Sequence, residues 1–159
     1  MTGYLLLRFV HIIGAAVLLG TGAGIAFFML MAHLSRDTAV IAGVARIVVI
    51  ADFIFTATAV VAQPVTGTLL ARMVDYPILD GWIGLSLILY IVTGAFWLPV
   101  VWMQMRMRDL SAAAVAAGVP LPREYHSLFR TWFAFGLPAF AAVLGIFWLM
   151  TSRPAISLW

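Results

Sequence analysis

Few side chains in this sequence could do chemistry: three histidines, six carboxylates and no cysteine in 159 residues. One of the histidines, His11, lies in the run Tyr4 to Met31, which is apolar except for Arg8 and His11 itself. A neutral imidazole offers one nitrogen lone pair to a metal while its other nitrogen donates a hydrogen bond. On a helical wheel His11 shares its side with Arg8, Gly14, Ala15, Leu18, Gly22, Ala26 and Met29, whereas Phe9, Ile13, Val17 and Phe27 look elsewhere. Small residues mark the side that meets other helices or a flat ligand, because lipid is better met by bulky aliphatics and aromatics. An ionisable residue on that side of a membrane helix is a functional-site hypothesis by default.

The helices that must position His11 are legible from composition. Hydrophobic residues make up 65 % of the chain and charged ones 9 %, with a mean hydropathy of +1.12. A soluble domain of this size could not hide so much apolar surface, so the expected fold is all-α: one integral membrane domain over residues 1–159, built as a four-transmembrane-helix bundle. Spans are expected at about 4–31, 46–70, 81–105 and 128–150, each at or above the roughly 20 residues a bilayer crossing needs. In the first connection Ser35 or Asp37 is placed to cap the second helix. Asp75, Pro77 and Asp80 put a tight turn in the second. The third, residues 106–127, reads as a short helix ended by Gly118 followed by an extended return. Prolines 64, 99 and 138 predict kinks or widened turns near Val60, Ala95 and Ala134. The N-terminal run is too long for a signal peptide and is read as a retained span.

All nine cations are arginine. Arg36, Arg46, Arg106, Arg108, Arg123 and Arg130 flank the first and third connections, against Arg8, Arg72 and Arg153 at the other side, so the positive-inside rule predicts both termini outside. The arginines form no basic stripe for nucleic acid. Trp82, Trp148 and Trp159 fall at the outer interface, where an aromatic belt is the bland explanation and the expected one for Trp82 and Trp159.

Each later span repeats the one-sided pattern. Asp52, Thr56, Ala59, Gln63 and Gly67 form one stripe; Ser86, Tyr90, Thr93, Gly94, Trp97, Val101 and Gln104 form a second. His126, Arg130, Ala134, Leu137, Ala141, Gly145 and Trp148 form the third. Such faces are expected to turn inward. By depth, His11, Gln63 and Tyr90 come out level, roughly 10 Å below the outer end of the first helix, with Arg8 and Arg72 above them. Haem suits this arrangement: an apolar cleft takes the macrocycle, His11 the iron, and the arginines the propionates. Gln63, Tyr90 or no residue would stand opposite His11. A histidine merely hydrogen-bonded between helices is the bland alternative.

Toward the inner surface, His33 and His126 come to similar depth and are read as ligands of a possible second haem, with Asp52, Arg46, Arg106 and Arg130 nearby. Asp52 is either neutralised by Arg130 or Arg46, or serves as the proton-entry residue that quinone chemistry requires. Without cysteine, disulfides, covalent c-type haem, cysteine-held iron-sulfur clusters and thiol nucleophiles are excluded. Hydrolase, metalloprotease, Walker and dinucleotide motifs are absent. The GTGAG at Gly20 to Gly24 fits close helix packing, and the methionines at 29, 31, 103, 105 and 107 make a poor copper site.

Taken together, LLLRFVHIIGAAVLLGTG, VVAQPVTG, LYIVTGAFWLPVVWMQ, RTWFAFGLPAF and IFWLM resemble a bacterial family of predicted integral membrane proteins of unknown function. That family is more distantly similar to CopD-like proteins and to the HemJ type of protoporphyrinogen oxidase. The resemblance implies a compact membrane helical bundle with His11 as candidate haem b ligand. It also carries a departure: the HemJ type is thought to use a lysine, and this chain has none. The expectation is a b-type haem membrane protein for electron transfer or oxidoreduction in the bacterial inner membrane. Lipid surrounds it, quinone or a periplasmic redox protein would be its partner, and a homo-oligomer is open. The alternative is a cofactor-free transport or accessory subunit for a metal or small solute, with a water path through Gln63, Thr56 and Asp52.

Overall fold

A computed structural model describes residues 2–79 and 81–156. Helix α1 (Thr2–Ser35) is followed by α2 (Thr38–Ala51), a π-helical turn (Asp52–Thr56) and α3 (Ala57–Met73), then by α4 (Gly81–Ala117) and α5 (Arg123–Ser152). Arg36 adopts a left-handed conformation, φ 58°, that stops α1, and the Asp37 carboxylate then accepts from the amides of Ala39 (2.8 Å) and Val40 (3.1 Å). That satisfies orphan donors of α2, so the expected cap is Asp37. Ser35 instead donates to the Ala32 carbonyl at 2.6 Å and accepts from the Asp37 amide at 3.2 Å.

With the cap at Asp37, one of the two expected residues, the helix of the second crossing starts at Thr38, eight residues ahead of the span start expected near Arg46. It runs through the π turn to Met73, giving four helices long and apolar enough to cross a membrane. The third crossing also differs from expectation. The stretch after Arg106 is no separate helix: MRMRDLSAAAVAA contains no breaker, alanine is the strongest helix former, and α4 continues unbroken until Gly118 at φ 64°. There the amides of Gly118 and Val119 turn back to the carbonyls of Val115 and Ala114, both at 3.1 Å. Likewise α5 begins at Arg123, ahead of the expected Leu128.

The three prolines lie inside continuous helices. The one widened turn among the described residues is the π turn, upstream of Val60, where the amide of Ala57 reaches the carbonyl of Asp52. Pro64 does act at Val60, as its ring geometry requires, since the missing amide is the one Val60 would have received. The Tyr90 hydroxyl from α4 takes its place, donating to the Val60 carbonyl. One helix thus mends the defect of another.

Helix α4 packs along α5 and against α2, while α1 packs on α2 and α3. Ile25, Met29, Ile41, Val48, Met103, Met107, Tyr125, Phe129 and Trp132 close a continuous core at the arginine-rich end. Met29, Met103 and Met107 are therefore packing residues there. Outward faces carry Leu5, Phe9, Ile47, Val61, Ile91 and Leu98, all exposed, as lipid-facing helices require. The expected inward face of α5 is wrong: Arg130, Ala134, Leu137, Ala141 and Trp148 are exposed, and Tyr125, Phe129, Trp132, Ala142 and Leu149 are buried instead. Small and polar residues misled there because the aromatic ridge of α5 offers far more apolar area to its neighbours. Trp148, at 71 % exposure, has the open position of a belt residue.

Candidate functional site

At the end opposite the arginine-rich core the helices part around a cavity of about 660 Å³, with walls from α1, α3, α4 and α5. Tyr4, Arg8, His11 and Ala15 line it from α1, Gln63 and Gly67 from α3, Ser86 and Tyr90 from α4, and Ile146 and Met150 from α5. Three of the residues expected at one depth, His11, Gln63 and Tyr90, do meet here, with Arg8 among them. Arg72 does not: it is exposed and lines no part of the cavity. At the end of α3 its side falls outside the bundle, and the second arginine of the cavity is Arg153, carried in from the end of α5.

His11 is held firmly. Its Nδ1 lies 2.7 Å from the Thr66 hydroxyl oxygen, which itself lies 2.7 Å from the Ala62 carbonyl. A carbonyl only accepts, so the Thr66 hydroxyl gives its proton to Ala62 and accepts from Nδ1–H of His11. The tautomer assigned by that network leaves the Nε2 lone pair free. Gly67 makes room for the ring: a Cβ there would stand 3.2 Å from Cε1 of His11. One residue pair away, the Gln63 amide donates to the His11 carbonyl at 2.9 Å. Its side chain also passes so close to Gly14 that a Cβ at that position would collide with it. Tyr90 is committed to Val60, so its hydroxyl faces α3 as a donor.

Thr66 was missed in the sequence although the signal existed: it follows Gln63 by three and precedes Gly67, on the same stripe. Arg153 gave no such signal. Its left-handed backbone, φ 44°, ends α5 and carries the guanidinium over Trp82, 5.8 Å from the ring centroid. Trp82 in turn tilts against Tyr76 at 5.4 Å, so it belongs to the cavity wall more than to an aromatic belt. Trp159 and Asp80, read as an interface marker and a turn residue, lie outside the described residues.

Deeper in the bundle Asp52 is 3 % exposed, and neither Arg46 nor Arg130 pairs with it; both arginines are exposed. Ion pairs among the described residues join Arg106 to Glu124 and Arg108 to Asp109. The π turn aims Asp52 at α4, where Trp97 Nε1 approaches Oδ1 at 3.4 Å. The Gln104 amide, oriented so that its oxygen accepts from Trp132 Nε1 at 3.2 Å, donates to Oδ2 at 3.0 Å. Indole can only donate, which fixes that orientation. Nearby on the same turn, the Thr56 hydroxyl is buried. Neither Asp52 nor Thr56 lines the cavity.

At the arginine-rich end His33 and His126 do come together, ring centroids 5.7 Å apart, as antiparallel neighbours should. His33 stacks flat on Phe129 at 3.7 Å and its Nδ1 is buried without a partner. Both histidines line a smaller cavity of about 380 Å³ with Arg36 and Thr38. Among the described residues no three metal-ligating side chains of the His, Asp and Glu type converge; an axial haem ligand needs only one.

Over residues 5–154 the sequence matches the family described as predicted integral membrane protein (DUF2269). No curated protein and no solved structure matches, so neither comparison brings out a CopD-like or HemJ-type relative.

Proposed function

The chain belongs to that family of predicted integral membrane proteins, and from this premise we propose that it is a b-type haem-binding membrane protein serving electron transfer or oxidoreduction. One observation carries the reading: an imidazole with Nδ1–H tied to Thr66 and Nε2 free, lining an apolar cavity of about 660 Å³. Ligating histidines are generally held this way, their second nitrogen donating to an oxygen that fixes tautomer and ring angle. The cavity volume falls in the range of cofactor sites. His11 would take the iron and Gly67 the close approach of the ring, while Arg8 and Arg153 would neutralise the two carboxylates of the macrocycle. Bound there, haem supplies one-electron chemistry at a potential set by its axial ligation and burial.

The chain's own residues do the rest. Thr66 keeps the imidazole from rotating, and Gln63 locks α3 to α1 beside it. With its hydroxyl committed to Val60, Tyr90 would offer its ring as part of the cavity wall. With both termini outside, as the positive-inside rule would have it, the cavity would face the outer leaflet of a bacterial inner membrane, within reach of quinone or a periplasmic redox protein. The spectrum of detergent-purified protein tests this. A Soret band and pyridine haemochrome are expected, and His11→Ala should abolish them. Colourless protein from haem-replete cells overturns the reading, as does a His11→Ala variant that keeps its full haem content.

A further inference from the structure

A charge count at the arginine-rich end points to a second ligand. Of the acidic side chains described there, Asp109 pairs with Arg108 and Glu124 with Arg106, while Asp37 accepts from the α2 amides, keeps its charge and lines no part of the smaller cavity. Arg36, Arg46, Arg123 and Arg130 have no acidic partner among the described residues. One of them, Arg36, lines the 380 Å³ cavity with His33, Thr38 and His126, and no carboxylate lines it. Its remaining walls are apolar, Ile41 and Leu121 among them. The donor inventory is one-sided: a guanidinium fork, two imidazoles and a hydroxyl. His33 Nδ1 is buried without a hydrogen-bond partner.

We infer that this cavity binds a phosphate group, as borne by an anionic phospholipid headgroup or by free phosphate. A guanidinium presents paired N–H donors that match phosphate oxygens, and imidazole N–H and Thr38 hydroxyl add single bonds. Basic pockets between membrane helices at the arginine-rich side are the usual seats of anionic headgroups, and the apolar wall suits the glycerol and first methylenes of a lipid. The inference stands apart from the haem at His11, whose cavity lies at the opposite end.

The test uses the full chain in neutral detergent, labelled with ¹⁵N at histidine, and follows the His33 and His126 ring resonances. Phosphatidylglycerol, phosphatidylcholine and inorganic phosphate are titrated in separate arms. Phosphatidylglycerol should shift both resonances saturably and phosphatidylcholine should not. Arg36→Gln and His126→Gln, both at exposed positions, should each weaken binding about tenfold, while Arg46→Gln, outside the cavity, should not. Saturation by inorganic phosphate with no tighter response to the lipid assigns the site to free phosphate. Silence toward both anions in the wild-type protein overturns the inference, as does an Arg36→Gln titration that matches wild type or an equal response to phosphatidylcholine.

Discussion

Removing one hydroxyl, in Tyr90→Phe, tests how the bundle holds its proline-interrupted helix. The ring and its packing remain, but the Val60 carbonyl, deprived of a helical donor by Pro64, loses the O–H that replaced it. An acceptor left unsatisfied in a membrane bundle costs about 1–2 kcal/mol, the lower part of that range being the usual one for interhelical bonds in lipid. The same substitution in a Pro64→Ala background should cost far less, because the restored amide of residue 64 can reach Val60 within the helix. The coupling energy of the cycle is therefore expected at about 1 kcal/mol. Unfolding in mixed micelles with added dodecyl sulfate, read by tryptophan fluorescence or circular dichroism, measures all four corners. If Tyr90→Phe costs the same in both backgrounds to within about 0.3 kcal/mol, the hydroxyl is not serving the proline's missing donor and the reasoning fails.

Three further outcomes follow from single contacts. Asp52→Asn should lower stability by about 1–3 kcal/mol in the same assay, since Trp97 and Gln104 both donate and an amide has only one accepting oxygen; an unchanged unfolding curve would show that one of those bonds does not form. Asp37→Ala removes the acceptor for two α2 amides and should cost about 1 kcal/mol, with hydrogen exchange rising at Ala39 and Val40 first. Thr66→Val keeps the shape and takes away the acceptor of His11 Nδ1–H, so the ¹⁵N tautomer signature of His11 should become mixed and haem content, on the proposed reading, should fall about tenfold or more. A His11 spectrum identical to wild type would remove Thr66 from that role.

How much of this was readable in advance differs from helix to helix. The side of α1 that carries His11, Gly14 and Ala15 and the stripe Asp52, Thr56, Ala59, Gln63 and Gly67 could be read because apolar and polar residues alternate there with helical period. Packing then only had to respect a burial pattern already written. The same method misjudged α5, where burial followed aromatic bulk and left Arg130, Ala134 and Leu137 outside. In a bilayer both faces of a helix are apolar, so periodicity loses contrast wherever large aromatics do the packing. Helix ends were legible where a special residue stood, as at Asp37 and Gly118, and misplaced where none did, as at the join of the third span to the stretch after Arg106.

By itself the sequence determined that there would be four membrane-crossing helices, that one imidazole would lie on a small-residue face, and that one end would be rich in arginine; these follow from hydropathy and local spacing. Tertiary structure alone decided which atoms meet. It chose Thr66 as the partner of His11, Arg153 over Arg72 at the cavity, Tyr90 as donor to Val60, and indole and amide in place of arginine around Asp52. Those pairings join residues remote in sequence, and they depend on the rotation and depth of each helix against its neighbours, which no local pattern encodes.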